Sequence, residues 1–356
     1  MSSIPTFSIA GRPIGGNEAP YVVAEMSGNH RGSLETAIDI VHAAADGGAH
    51  AVKLQTYTPG TLTIDSHRPE FVIQNEGGLW HSRRLWDLYM EAHTPWEWHV
   101  PLMEAIKSRE MAFISTAFDQ SSLDFLIEIG VDAIKIASFE LIHLPLISAA
   151  ARSRKPLLLS TGMATLQEIS DAVSTIREND AEEFVLLKCT SAYPAVECDA
   201  NVATMIDMQK RFKCLVGISD HTLAPYVSYG AVAIGACLVE KHLTLSRDKG
   251  GPDAAFSIEP EELRSLVDGA SKIWRSVGAV TYGPLESEKT SLKERPSIYA
   301  VQEIRKGEKC TEKNLRVIRP ADGLPPKLFN ALIGRRARVD IAAATPMRAE
   351  YVDGTI

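Results

Sequence analysis

Between about residues 21 and 280, short apolar runs alternate with segments of helical period, and no other feature restricts the fold as strongly. The runs are YVVAE (21–25), AVKLQ (51–55), AFIST (112–116), AIKIAS (133–138), LLLST (157–161), FVLLKCT (184–190), LVGIS (215–219) and LVEKH (238–242). Stripes such as Ala37, Ile40, Val41, Ala44 and Leu123, Leu126, Ile127 lie between them, spaced to bury one face of a helix. Eight strand and helix repeats in series predict an α/β fold, a closed (β/α)8 TIM barrel, in preference to an open doubly wound sheet.

Such a barrel takes about 250 residues, so 356 leave room for an appendage. The sequence predicts a barrel domain over 1–282, a polar linker over 283–294 beginning at Gly283-Pro284, and a second domain over 295–356. Strand-like pieces SIYAVQEI, LRVIRP and ARVDIA, broken by Gly and Pro turns, make that second domain small and β-rich. Alone it holds little core, so it should lean on the barrel or on a partner subunit. Thr94-Pro95-Trp96-Glu97 and Thr165-Leu166-Gln167-Glu168 read as capped helix starts. About 40 residues, 57–93, separate the second strand from its helix, where such loops usually hold roughly 2 to 6. With Phe71, Trp80, Trp86, Tyr89, Arg83 and Arg84 the segment reads as a folded cover over the barrel mouth; the plainer alternative is a packing insertion that touches no substrate.

A net charge of −8 speaks against nucleic acid or an anionic membrane as partner, but not against a small anionic substrate. The longest nearly apolar run, 230–239, has half the roughly 20 residues of a membrane span, and the N-terminus lacks the pattern of a secretory signal. Five cysteines without a C-x-x-C spacing fit a reducing cytoplasm rather than a disulfide framework. No nucleotide-binding or serine-hydrolase motif occurs.

In a TIM barrel, catalytic groups sit at the C-terminal ends of the strands. Every run ends in such residues: Glu25, Lys53 with Gln55, Ser115 with Thr116, Lys135 with Ser138, Ser160 with Thr161, Lys188 with Ser191 and Tyr193, Ser219 with His221, and Glu240 with His242. His221 and His242 end neighbouring strands and could share one divalent ion, with Asp253 or Glu25 adding oxygen; Mn²⁺, Mg²⁺, Co²⁺ and Zn²⁺ all suit such a set. Inward-pointing Lys53 and Lys135 call for a compensating anion, a phosphate plus a carboxylate, unless Glu25 and Glu240 pair with them instead. Lys188 offers a Schiff-base aldolase as a rival, and a non-catalytic sugar-phosphate-binding protein is another. Cys189 has no histidine in its own segment to activate it, and the His93–His99 stretch reads mostly as helix start and packing.

The ordered motifs AEMSGNH, AVKLQTY, FISTAFD, IKIASFE, LSTGMA, LLKCTSAYP, GISDHT, EKHLTL and GGPDAAFS resemble the sialic acid (nonulosonic acid) synthase family over essentially the whole chain. SIYAVQEIRKGEKCTEKNLRVIRPADG is similar to the antifreeze-like (SAF, β-clip) domain that ends those synthases. Within the family, AEMSGNH, LWDLYMEAHTPWEWH and LLKCTS look most like the pseudaminic acid branch. The resemblance implies a transferase that condenses phosphoenolpyruvate with an amino-sugar aldehyde, here 2,4-diacetamido-2,4,6-trideoxy-altrose, releasing phosphate. It implies phosphoenolpyruvate at Lys53, Thr116, Lys135, Ser138, Ser160, Ser191, Ser219 and His221. It further implies a metal, Mn²⁺ first among the candidates, at His221 and His242, and the sugar at Gln55, Tyr193, Asp253 and Arg319. Where neuraminate synthases carry asparagine after CT this chain has Ser191, and Lys188 replaces a histidine. Both changes favour a deoxygenated diacetamido acceptor over N-acetylmannosamine, with the manno-configured neuraminate and legionaminate acceptors as the alternative. Glu25 is the expected proton acceptor, and a domain-swapped homodimer is expected, with Arg319 reaching a partner's barrel.

Overall fold

The computed structural model describes residues 6–355. Two antiparallel strands come first, β1 (Phe7–Ile9) and β2 (Arg12–Ile14). Eight parallel strands follow and close on themselves: β3 (Tyr21–Glu25), β4 (Ala51–Thr56), β5 (Ala112–Ala117), β6 (Ala133–Ile136), β7 (Leu157–Ser160), β8 (Phe184–Cys189), β9 (Leu215–Ser219) and β10 (Leu238–His242). The barrel is the one the alternation predicts. Only run ends differ, by one or two residues: β4 and β5 run one residue further, and at β6, β7 and β8 the terminal polar residues turn out of the ladder into loops.

Alternation along each strand decides what faces the interior. Tyr21, Val23, Ala51, Ala112, Ile114, Ala133, Leu158, Val185, Leu187, Leu215 and Leu238 pack inside, whereas Val22, Val52, Phe113, Ile134, Leu159, Leu186, Val216 and Val239 pack outward against the helices. Continuing the same phase upward sends Glu25, Lys53, Gln55, Thr116, Lys135, Ser160, Cys189, Ser219, Glu240 and His242 inward at the mouth. Phe7, Ile9 and Ile14 of the β1–β2 hairpin join the lower inner layer and plug the opposite end. The hairpin was not foreseen. Its turn residues Ala10 and Gly11 both have positive φ (48° and 78°), as the tightest hairpin turns require.

Of the two capping boxes, Thr165 makes its own: it accepts from the Glu168 N–H at 3.3 Å, and Glu168 accepts from the Thr165 N–H at 2.7 Å. Thr94 does not. Its hydroxyl is drawn 3.3 Å from His30 Nε2 in the core, and a short 3-10 turn, Trp96–Trp98, begins without a side-chain cap. Residues 57–93 are folded, with helices at Pro59–Leu62 and Leu85–Ala92 and a bridge between Val72 and Arg84. Trp80 Nε1–H donates to the Pro252 carbonyl at 2.9 Å, which seats the segment on the loop that follows β10.

The chain divides into two compact units at Gly278/Ala279. The second holds an antiparallel sheet in the order β12 (Leu315–Ile318), β11 (Ser297–Ala300), β13 (Thr345–Pro346), over a core that includes Ile298, Leu315, Leu332 and Val352. ARVDIA is not a strand. Its N–H groups bond to three separate partners, Glu308, Tyr351 and Ile304, so no continuous ladder forms. Among the described residues no helix is long and apolar enough to cross a membrane.

Candidate active site

Parallel register sets the neighbours at the mouth. Glu25 lies opposite both Lys53 and His242, and Thr116 lies opposite Lys135. Lys53 Nζ is 2.6 Å from Glu25 Oε2 and 3.8 Å from Glu240 Oε1, and it donates to Thr116 Oγ1 at 3.2 Å. Lys135 Nζ donates to both Glu240 oxygens at 2.9 Å. Ser219 Oγ donates to Glu240 at 2.8 Å, and Gln55 Nε2 to Glu25 Oε1 at 2.9 Å. The two lysine charges are thus met inside the protein by Glu25 and Glu240, the arrangement the sequence offered as the alternative to an external anion.

The two carboxyls are pushed apart. Burial lifts Glu25 above the ordinary carboxylate range in spite of Lys53. At Glu240 burial acts in the same direction, but Lys135 and Lys53 outweigh it and hold the group well below that range. Glu240 is the fixed anion, and Glu25 is the member that holds a proton more readily.

Room for a ligand shows beside this cluster. Ser160 Oγ and Ser191 Oγ are buried without a hydrogen-bond partner, and an unmet buried hydroxyl costs about 1–3 kcal/mol. Ser138 Oγ accepts from the Gly162 N–H at 3.1 Å. A Cβ at Gly162 would lie 2.2 Å from Ser191 Oγ and 2.7 Å from Ser138 Oγ, so the absence of a side chain holds the gap open. Sequence reading missed Gly162; the S-T-G step directly after β7 was the available signal.

His221 Nδ1 is 2.8 Å from the Thr190 carbonyl and donates to it. Burial lowers the imidazole's proton affinity, but Cys189 and the Thr190 carbonyl beside it raise it overall, so a metal at Nε2 would have to displace a proton. His242 Nδ1 is buried without a partner, and the two rings stand 5.3 Å apart. Burial, with His221 beside it, holds His242 well below its ordinary value and therefore neutral, as a metal ligand must be. An orphaned imidazole nitrogen with a second imidazole ring 5.3 Å away fits a divalent ion with open positions. The expected oxygen ligands do not join them: Glu25 is engaged by Lys53 and Gln55, and Asp253 is held by Ser27, 3.9 Å from His242 Nδ1. Among the described residues no three His, Cys, Asp or Glu side chains already surround one point.

Tyr193 lies 4.6 Å from the His221 ring and 5.4 Å from Trp80, and Phe256 closes the group at 4.8 Å from His242 and 6.1 Å from Trp80. Trp80 thus brings the insertion into the site. Lys188 does not belong to the inner ring. It shares the outward phase of Leu186, its Nζ donates to the Cys189 carbonyl at 2.9 Å, and Cys189 takes the inward place instead. Ser115 likewise faces outward, bonded to Thr56 at 2.7 Å. Glu140, also missed, follows Ser138 on the same turn; one of its oxygens is buried and unpartnered, and burial pushes its carboxyl up to about 7. Arg319 lies on the exposed surface of the second unit, after β12.

Glu240→Gln should strand buried Lys135, leave Lys53 to Glu25 alone, and lower stability by about 3–5 kcal/mol in urea unfolding. Added inorganic phosphate should restore part of that loss in the variant and little in the parent protein; an equal response in both would show that the lysines do not reach the ligand space.

The NeuB family model matches residues 40–282 and the SAF domain model matches residues 295–352. The chain is 37% identical to the pseudaminic acid synthase of Helicobacter pylori over 95% of this chain and 99% of that protein. It is 33% identical to the N,N'-diacetyllegionaminic acid synthase of Legionella pneumophila over 96% and 97% of the two chains. The crystal structure of N-acetylneuraminic acid synthetase from Leptospira borgpetersenii superposes with a TM-score of 0.72 at 32% identity, covering 81% of this chain and 95% of that one. The barrel with its buried ion cluster and histidine pair, followed by the β-rich unit, therefore belongs to the NeuB family and ends in a SAF domain.

Proposed function

We propose that this chain is a pseudaminic acid synthase, a transferase that joins phosphoenolpyruvate to 2,4-diacetamido-2,4,6-trideoxy-β-L-altropyranose to give pseudaminic acid and phosphate. The observation that carries this is 37% identity, nearly end to end, to the Helicobacter pylori synthase of that name. The ion cluster supplies the physical support, since two lysines and three hydroxyls at one mouth suit a small ligand with several negative charges. The reaction runs in the cytoplasm.

Lys53, Thr116, Lys135, Ser138, Ser160, Ser191, Ser219 and His221 hold phosphoenolpyruvate, the lysines neutralising phosphate and carboxylate. C3 of the enol attacks the open-chain aldehyde, water adds at C2, and cleavage of the C2–O bond releases phosphate. A divalent ion at His221 and His242, Mn²⁺ first among the candidates, supplies Lewis-acid polarisation of the aldehyde when bound. Glu25 accepts the proton of the attacking water, because a carboxyl lifted by burial sits beside a fixed anion that cannot. A second candidate for proton transfer is Glu140, whose carboxyl burial pushes up to about 7, a proton affinity matched to neutral pH. Gln55, Tyr193 and Asp253 line the acceptor, with Trp80 and Phe256 as an apolar wall for its deoxygenated carbon. A second acceptor has support from the Legionella relative, at 33% identity: the manno-configured legionaminate precursor.

Arg319 completes the acceptor site from the SAF domain of a second copy, with 283–294 as linker, in a homodimer. Val280 and Tyr282, 89% and 94% exposed, are apolar surface that a partner would cover.

Phosphate release from phosphoenolpyruvate, measured over a panel of altro and manno amino sugars, should be fastest with the altro acceptor, rise with Mn²⁺ and stop with chelator. Chelator-resistant turnover with borohydride trapping on Lys188 would replace this mechanism with the aldolase one. Glu140→Gln should lower kcat by about 10²-fold or more, with little change in KM for phosphoenolpyruvate. If Glu140 acts as a base, the fall in rate as pH drops through about 7 should vanish in that variant. Mixing Arg319→Ala with His221→Ala chains should restore activity through one intact shared site, and no recovery after subunit exchange would place Arg319 in cis.

A further inference from the structure

We propose that the buried pair Asp220 and Lys241 is a latch that positions the two histidines, and so sets metal affinity from behind the site. The inference rests on the reading of His221 and His242 as metal ligands. Glu240 and His242 face the barrel interior, so Lys241 between them must face out. Its ammonium does not reach solvent: the residue is 1% exposed and Asp220 is 3% exposed.

Lys241 Nζ donates to Asp220 Oδ2 at 3.0 Å and also to the Thr222 carbonyl. Asp220 accepts further from Thr222 N at 2.9 Å, Thr222 Oγ1 at 2.7 Å and Ser228 Oγ at 2.7 Å, and its own N–H donates to the Glu240 carbonyl at 3.0 Å. Asp220 and Thr222 flank His221 in the chain, and Lys241 precedes His242. The network thus fixes the backbone on both sides of one histidine and ties it to the strand that carries the other. A buried ion pair is a weak source of net stability compared with well-packed apolar residues. What it adds is direction, because each of these bonds restricts where His221 can project. Since the pair faces away from the ligand space, Asp220 and Lys241 are positioning residues and touch no reactant.

The test is the double variant Asp220→Asn/Lys241→Met, which removes both charges together and leaves neither stranded. Its thermal midpoint should stay close to that of the parent, while Mn²⁺ affinity, read from the free-ion EPR signal, should fall by about 10-fold or more. Parent-like Mn²⁺ affinity in a folded double variant overturns the latch and leaves the metal reading intact. A parent protein that binds no Mn²⁺ overturns both. Should the double variant fail to fold, Ser228→Ala removes one bond to Asp220 without touching a charge; it should weaken Mn²⁺ measurably, and unchanged affinity overturns the latch.

Discussion

Glu25, Lys53, Lys135 and Glu240 sit where β3, β4, β6 and β10 turn their side chains into one closed space, and the site is arranged around their mutual neutrality. Each of these charges buried alone would cost several kcal/mol even after relaxation. Together they are tolerable because the barrel's register sets acid against base within hydrogen-bonding reach. Closure is what makes this work: β10 pairs with β3 as well as β9, which brings Glu240 to lysines that come from strands on the other side. A polyanionic ligand entering such a space meets no free positive charge. It would be accommodated by redistribution, with the two lysines shared between the ligand and the carboxylates they already pair with.

A second polar layer lies just outside the first, set by the same alternation. Thr56 bonds to both Ser115 and His99, linking β4, β5 and the helix that precedes β5. Asp220 and Lys241 do so between β9 and β10. Inward residues carry the chemistry, and their immediate chain neighbours, turned outward, hold the strand ends still. A ring of catalytic groups on short strands requires such support, since a strand of five residues gives its last side chain little rigidity of its own.

Sequence pattern carried the eight strands, their ends and nearly all of the inner ring, because a buried parallel strand prints its period directly in the chain. What it could not carry were effects decided by a distant partner. Lys188 and Ser115 were placed in the ring because they stand at strand ends, yet strand phase turns both outward. Thr94 has the sequence of a cap, but His30 claims its hydroxyl. The plugging hairpin is too short for its period to register, and Gly162 matters for what it lacks. Ion pairing was legible only as an alternative, since Lys53 and Glu240 are far apart in the chain and no local pattern links them.

The acceptor wall shows the same limit at the level of specificity. Tyr193 and Phe256 come from loops after β8 and β10, and Trp80 from an insertion whose length alone marked it as unusual. Their convergence depends on one hydrogen bond, from the Trp80 indole to the Pro252 carbonyl, and on Gly28, where a Cβ would meet Pro252 at 2.7 Å and Ala92 at 3.0 Å. The glycine lets the insertion's helix settle against the first barrel loop, and the same segment sets Trp80 against Tyr193 and Phe256, the rings that pack on the histidine pair. On the function proposed above, acceptor choice rests on how an appended segment docks onto a frame of buried charges, and the two can vary independently: the cluster would act on phosphoenolpyruvate, while the insertion would shape the partner it is joined to.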